Sequence, residues 1–173
     1  MRNYFVQNKG FTLIELLIVI ALLGALAVGL LATIDPFEQL KKGTDTATRS
    51  KVSELHGAII RYYGIKSNMP WCPTGTGCPA DPSATNLITA PMVNALTEII
   101  NAGELKSNFL VLAGGDATKI FFTGSQVLAT VSVCYKPTAK SFIKDPNTKF
   151  TQTGASTCAA ADPTQLTCYW CVE

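Results

Sequence analysis

The chain is 173 residues long, 47% hydrophobic and 15% charged, with a formal net charge of +2. That length excludes a large multidomain enzyme, and the apolar content excludes a wholly disordered chain. So small a net charge leaves no footprint for a polyanionic partner, which argues against nucleic acid as a main ligand.

Residues 1–10 are short and polar, with Arg2 and Lys9 as their charged side chains. From Leu16 to Ile34 no residue is charged. As a helix this stretch covers roughly 28 Å at about 1.5 Å per residue, close to the ~30 Å core of a bilayer. A cleaved secretory signal carries a shorter apolar region, about 7–15 residues, although Ala25-Leu26-Ala27 imitates a signal cleavage site. A plain single-span anchor accounts for the length but not for Glu15 at its start. A carboxylate in a bilayer is costly and usually has a partner, and the next cation along the chain is Lys41. The partner therefore comes from the chain's own start or from another copy. Basic residues lie on both sides of the span, so they do not fix its orientation.

The string Lys9-Gly10-Phe11-Thr12-Leu13-Ile14-Glu15-Leu16-Leu17-Ile18-Val19-Ile20 resembles the N-terminal motif of type IV pilins and pseudopilins. The resemblance covers residues 1–64 well and the remainder in general plan. It implies cleavage between Gly10 and Phe11 by a prepilin peptidase on the cytoplasmic side, and methylation of the new Phe11 amine. It also implies that Glu15 pairs with the Phe11 amine of a neighbouring subunit during filament assembly, which supplies the missing cation. Two buried opposite charges held together are tolerable where one alone is not.

Gly24 and Gly29 fall inside the apolar stretch, and Asp35-Pro36 follows it. Proline costs about 3 kcal/mol in a helix interior. Either the span ends at Ile34 and Asp35 caps a new helix with Pro36 in first position, or one long helix bends at Pro36. Beyond it Val52, Leu55, Ile59 and Tyr62 repeat at helical spacing, with most charges elsewhere, a stripe suited to packing under a sheet. Thr44–Arg49 has no strong apolar face and reads as solvated, with contact by neighbouring subunits as the alternative. Gly64 is the expected helix end.

Residues 65–90 are rich in Pro, Gly, Thr, Ser and Asn and read as loop. Pro91–Asn101 reads as a short helix with Val93, Leu96 and Ile100 aligned. Lys119–Thr123 and Val127–Tyr135 read as strands around a Gly124-Ser125-Gln126 turn, and Ser141–Lys144 and Thr167–Val172 as two more. Asp145-Pro146 and Asp162-Pro163 mark turns between them. Sequential strands joined by short connections predict an antiparallel sheet, which needs the helix stripe to form a core. The fold class is α+β: a long N-terminal helix, membrane-spanning in its first half and amphipathic in its second, packed on a small antiparallel β-sheet in the pilin-like plan. The expected organisation is a leader over 1–10, a transmembrane or filament-core helix over 11–34, the amphipathic half over 35–64, and a disulfide-stabilised head over 65–173.

All six cysteines, Cys72, Cys78, Cys134, Cys158, Cys168 and Cys171, lie in that head. Downstream of a span they predict disulfides and an oxidising compartment. Zinc is the competing reading: Cys168-x-x-Cys171 has ligand-like spacing, but Cys72-x5-Cys78 does not, and the single histidine, His56, lies on the amphipathic helix. A redox Cys-x-x-Cys normally opens a helix, whereas Tyr169-Trp170 reads as strand. Six cysteines allow fifteen pairings. The sequence does not choose among them; the expected set is Cys72–Cys78, by proximity, with Cys158–Cys168 and Cys134–Cys171 closing the C-terminal region. These bonds place everything after the span on the outer face.

No nucleophile elbow, spaced histidine pair or phosphate-binding loop is present, so no catalytic residue, cofactor or metal is expected. Ala113-Gly114-Gly115-Asp116 reads as a turn. Asp145, Asn147 and Asp162 lack the spacing of a calcium loop and read as turn formers. Lys136, Lys140, Lys144 and Lys149 read as solvated charge rather than a DNA-binding set. Trp71, Tyr169 and Trp170 read as packing rather than adhesive residues.

The expected function is a structural subunit of a type IV pilus-like filament. Its partners are other copies of itself in a helical homo-oligomer, prepilin peptidase, the assembly machinery in the membrane, and membrane lipid before assembly. Its expected location is the bacterial inner membrane, then an extracellular pilus. The alternatives are a pseudopilin of a type II secretion-like system and a membrane-tethered extracytoplasmic binding domain.

Overall fold

Helix α1 is Leu13–Thr33 and helix α2 is Pro36–Lys66 in the computed structural model, which describes residues 10–33, 35–156, 158 and 168–173. The expected leader, Arg2, Lys9, Ile34, Asp162-Pro163 and Thr167 fall wholly or largely outside the described residues. The chain divides into two compact units, Met1–Phe37 and Glu38–Glu173.

In the first unit, α1 is apolar on every side and its large side chains are exposed. A helix with no polar stripe suits a membrane or a protein interior rather than a water-facing surface. Gly24 and Gly29 do not interrupt it. Pro36 occupies the first position of α2, where its missing N–H costs nothing; of the two sequence readings, this is the one with a new helix start.

The second unit is built on α2 and a four-stranded sheet. The remaining elements are β1 (Thr85–Asn86), α3 (Met92–Asn101), α4 (Phe109–Ala113), a 3₁₀ turn (Gly114–Thr118), β2 (Ile120–Ser125), β3 (Thr130–Tyr135), α5 (Lys140–Ile143) and β4 (Trp170–Val172). The strand order is β1-β2-β3-β4, and all pairs are antiparallel. Along β3 the side chains alternate: Val131, Val133 and Tyr135 face inward with Ile120 and Phe122 of β2. They meet Val52, Leu55, Ile59 and Tyr62 of α2, all buried, so the predicted stripe does underlie the sheet. Burying a large apolar side chain contributes about 1.5–3 kcal/mol, and this layer holds the head together.

Several local expectations are corrected. Gly64 does not end α2; the helix continues to Lys66, and Ser67 takes a left-handed φ of 55°. Thr44–Arg49 is solvated on one side only: Thr44, Thr46 and Ala47 are exposed, while Asp45 and Thr48 are buried. In α3 the buried residues are Met92, Ala95, Leu96 and Ile99. The apolar face is therefore rotated from the predicted one: Leu96 is correct, while Val93 and Ile100 sit at its edges.

Gly124-Ser125 belongs to β2 rather than to the turn. A Cβ at Gly124 would come within 2.4 Å of the Trp71 ring, so glycine lets the indole lie across the strand. The hairpin apex falls instead at Val127-Leu128, where Val127 is 90% exposed. Gln126 fixes this apex: its N–H donates to Asp81 at 3.0 Å and its side-chain oxygen accepts from the Met69 N–H at 2.8 Å. Ser141–Lys144 is not a strand, because α5 occupies Lys140–Ile143. Its cause lies far away in sequence. The Asp45 carboxylate accepts the backbone N–H groups of Thr138 and Ala139 at 2.8 and 2.7 Å, and Glu38 accepts that of Lys140. Carboxylates satisfying successive orphan N–H groups favour a helical start.

Candidate functional site

The predicted assembly residues lie at the head of α1. Thr12 precedes its first residue, and Glu15 stands in its first turn. The Thr12 N–H and hydroxyl both donate to Glu15 Oε2, at 2.8 and 2.7 Å. In return the Glu15 N–H donates to Thr12 Oγ1 at 3.3 Å. This is a reciprocal capping box, in which two otherwise unsatisfied donors find acceptors. The Thr-x-x-Glu spacing ahead of an apolar run was available as a signal in the sequence, and it gives Glu15 a second role beside the predicted one. Phe11 is 87% exposed, and Gly10 is exposed as well.

Leu13–Leu31 is long and apolar enough to cross a membrane. Glu15 is thus the charged residue within an otherwise uncharged span, held near its end and, among the described residues, bound by Thr12.

In the head, α2 offers three successive anchors to distant loops. Asp45 holds Thr138 and Ala139, as above. Arg49 pairs with Asp145 at 3.0 Å, and its guanidinium lies 4.4 Å from the Trp170 ring centroid and 4.5 Å from that of Phe142. Lys51 pairs with Asp116 at 2.8 Å, and the Thr48 hydroxyl donates to the same carboxylate at 3.1 Å. Burial pushes the Asp116 carboxyl up, but hydrogen bonds from Lys51 and Thr48 and the charges of Lys51 and Lys119 outweigh it. The net result lies below the usual carboxylate range. Asp145 is also held low, first by the Asn147 backbone N–H, then by Arg49 against the opposing effect of burial. Burial lowers the His56 imidazole, opposed by a hydrogen bond with the Val131 backbone.

Asp145 and Asn147 therefore form a turn, with the carboxylate spent on Arg49 and the backbone. Asp162 lies outside the described residues. Among the described residues no three His, Cys, Asp or Glu side chains gather where they would hold a metal ion. Asp116 lies within a 3₁₀ turn, as its Gly-Gly context suggested, and is also an ion-pair hub that sequence reasoning missed. Lys136, Lys140, Lys144 and Lys149 are exposed. Trp71 is buried and donates to Asp81 at 3.1 Å.

The cysteines join as Cys72–Cys78, Cys134–Cys171 and Cys158–Cys168. The two cysteines of Cys168-x-x-Cys171 therefore bond to different partners and do not form a redox pair with each other. Cys134 points away from the main core and meets Cys171 beside Phe150 in a second small cluster.

Residues 6–31 match the family model described as the prokaryotic N-terminal methylation motif, the signature of type IV pilins and pseudopilins. Neither the curated proteins nor the solved structures gave a match to this chain.

Proposed function

We propose that this pilin-like or pseudopilin-like chain is a structural subunit of a type IV pilus-like filament. The observation that carries the reading is the methylation motif over residues 6–31, with Glu15 in the first turn of an all-round apolar helix. On this reading a prepilin peptidase cuts between Gly10 and Phe11, and the Phe11 amine is methylated. Until assembly the apolar helix anchors the subunit in the bacterial inner membrane, with the disulfide-bonded head outside. The membrane machinery then moves the helix from lipid into the filament, where it packs against helices of other copies and ends on the cell surface.

Glu15 decides where each incoming subunit stops. In a low-dielectric interior a carboxylate without a cation is costly, and its pairing with a Phe11 amine of a neighbouring copy removes that cost. Apolar contact along the rods is non-directional, so the charge pair supplies the register. The role is structural rather than catalytic.

The test is an intact mass of the protein purified from its host. Loss of residues 1–10, one added methyl group and six oxidised thiols are expected. Retention of residues 1–10 would instead indicate a simple tether for a binding domain. The motif is shared with pseudopilins, and long surface filaments at native expression separate the pilus reading from the secretion-system reading.

A further inference from the structure

A small polar cavity of about 30 Å³ lies between α2 and the end of β3. Asp45, Thr48 and Tyr135 line it, all three buried, together with Asp116, Lys119 and Lys136. A neighbouring open groove shares Lys119, Lys136 and Thr138 with it, which gives solvent a way in.

Most of its polar groups are engaged. Asp116 accepts from Lys51 and Thr48, with Lys119 at 3.6 Å. Asp45 Oδ2 accepts the N–H groups of Thr138 and Ala139. Two groups have capacity left. Among the described residues Asp45 Oδ1 accepts just the Thr138 hydroxyl, at 3.0 Å, and a carboxylate oxygen has room for a second donor. Tyr135 is 1% exposed, yet its hydroxyl has no hydrogen-bond partner among the described residues. Burial raises the pKa of this phenol, while the Arg49 guanidinium opposes the rise and the Asp45 charge adds to it, so the hydroxyl lies within the field of both. A buried hydroxyl without a partner is costly, because it has given up its bonds to water.

The occupant follows from size and charge. A site for one water needs about 10–15 Å³ and two or more polar partners, and this cavity has both. A metal cation would stand among Lys119 and Lys136, and an anion would meet Asp45 and Asp116. A neutral molecule that both donates and accepts suits the two groups that remain. We propose that the cavity is a binding site for one structural water, which accepts from the Tyr135 hydroxyl and donates to Asp45 Oδ1. It bridges β3 to α2 beside the contact that starts α5. The inference concerns the head alone and does not depend on the filament reading.

The first test is an experimental structure of the full chain at a resolution that shows ordered solvent. A single solvent peak within hydrogen-bond reach of both Tyr135 Oη and Asp45 Oδ1 is expected. A direct bond from the Tyr135 hydroxyl to a protein group, with no such peak, overturns the proposal. So does a peak ringed by about six oxygens at metal-ligand distance. The second test is ¹⁷O relaxation dispersion of water on the full chain in detergent micelles, which counts waters held longer than the particle tumbles. Tyr135→Phe should hold one fewer than the parent, with unchanged disulfide content and far-UV circular dichroism. An equal count in the folded variant overturns the site. If that variant does not fold, the solvent peak in the parent decides.

Discussion

Thr12 and Glu15 bind each other in both directions across the first turn of the apolar helix. A cap needs only an acceptor oxygen at residue 15, whereas pairing with an amine needs the charge. Glu15→Gln separates the two. It should insert in the membrane and lose residues 1–10 as the parent does, yet enter filaments roughly tenfold less, the scale of one lost charge-assisted hydrogen bond. Quantifying the sheared filament fraction against membrane-held subunit checks this. Parental incorporation of the glutamine variant would leave Glu15 as a helix cap alone.

The disulfides differ in the length of chain they close. Cys134–Cys171 spans a separation of 37 residues and Cys72–Cys78 one of 6. Replacing the first pair by alanine should cost about 2–5 kcal/mol, and replacing the second should cost less, since closure entropy grows with loop length. Urea unfolding of the two double variants gives the order directly, and the reverse order would contradict the entropic account.

Asp116 gives the head an acid-sensitive contact. Its folded-state pKa is lowered, so the unfolded chain binds its proton more readily. The stabilisation is therefore present above about pH 3.9, the ordinary aspartate value, and is lost as pH falls through the lower folded value. Asp116→Asn should be less stable than the parent at pH 7, and the gap should narrow as pH falls below about 4. Urea midpoints measured at both pH values test the sign.

Arg49 lies within 4.5 Å of two aromatic ring centroids, Phe142 and Trp170, while pairing with Asp145. A lysine keeps the charge but not the planar guanidinium that packs on aromatic rings. Arg49→Lys should lower head stability by about 1–2 kcal/mol, read from thermal or urea unfolding. A lysine variant as stable as the parent would show that charge alone suffices.

Periodicity made the helix–sheet core legible, because Val52, Leu55, Ile59 and Tyr62 repeat over a long segment and all become buried. It failed where few residues set the phase. In the ten-residue α3 a small rotation moved Val93 to the rim and brought Met92 and Ile99 inside. It also failed where long-range hydrogen bonds overrule local preference. Nothing near Ser141 announces that Asp45, over ninety residues earlier, caps the turn before it. Val127 and Leu128 look like strand residues, yet the bonds from Gln126 to Met69 and Asp81 put the bend there. The methylation motif was legible because it is local: the motif, the acid and the apolar run lie within residues 6–31.

The anchors at Asp45, Arg49 and Lys51 crowd into two turns of one helix yet grip three separate parts of the head. A load pulled along α2 would strain these links side by side, as in shear, instead of opening them one after another like a zip. The neighbouring Cys134–Cys171 bond prevents the last strand from peeling away. A head fastened in this way can follow its rod under tension without being stripped from it.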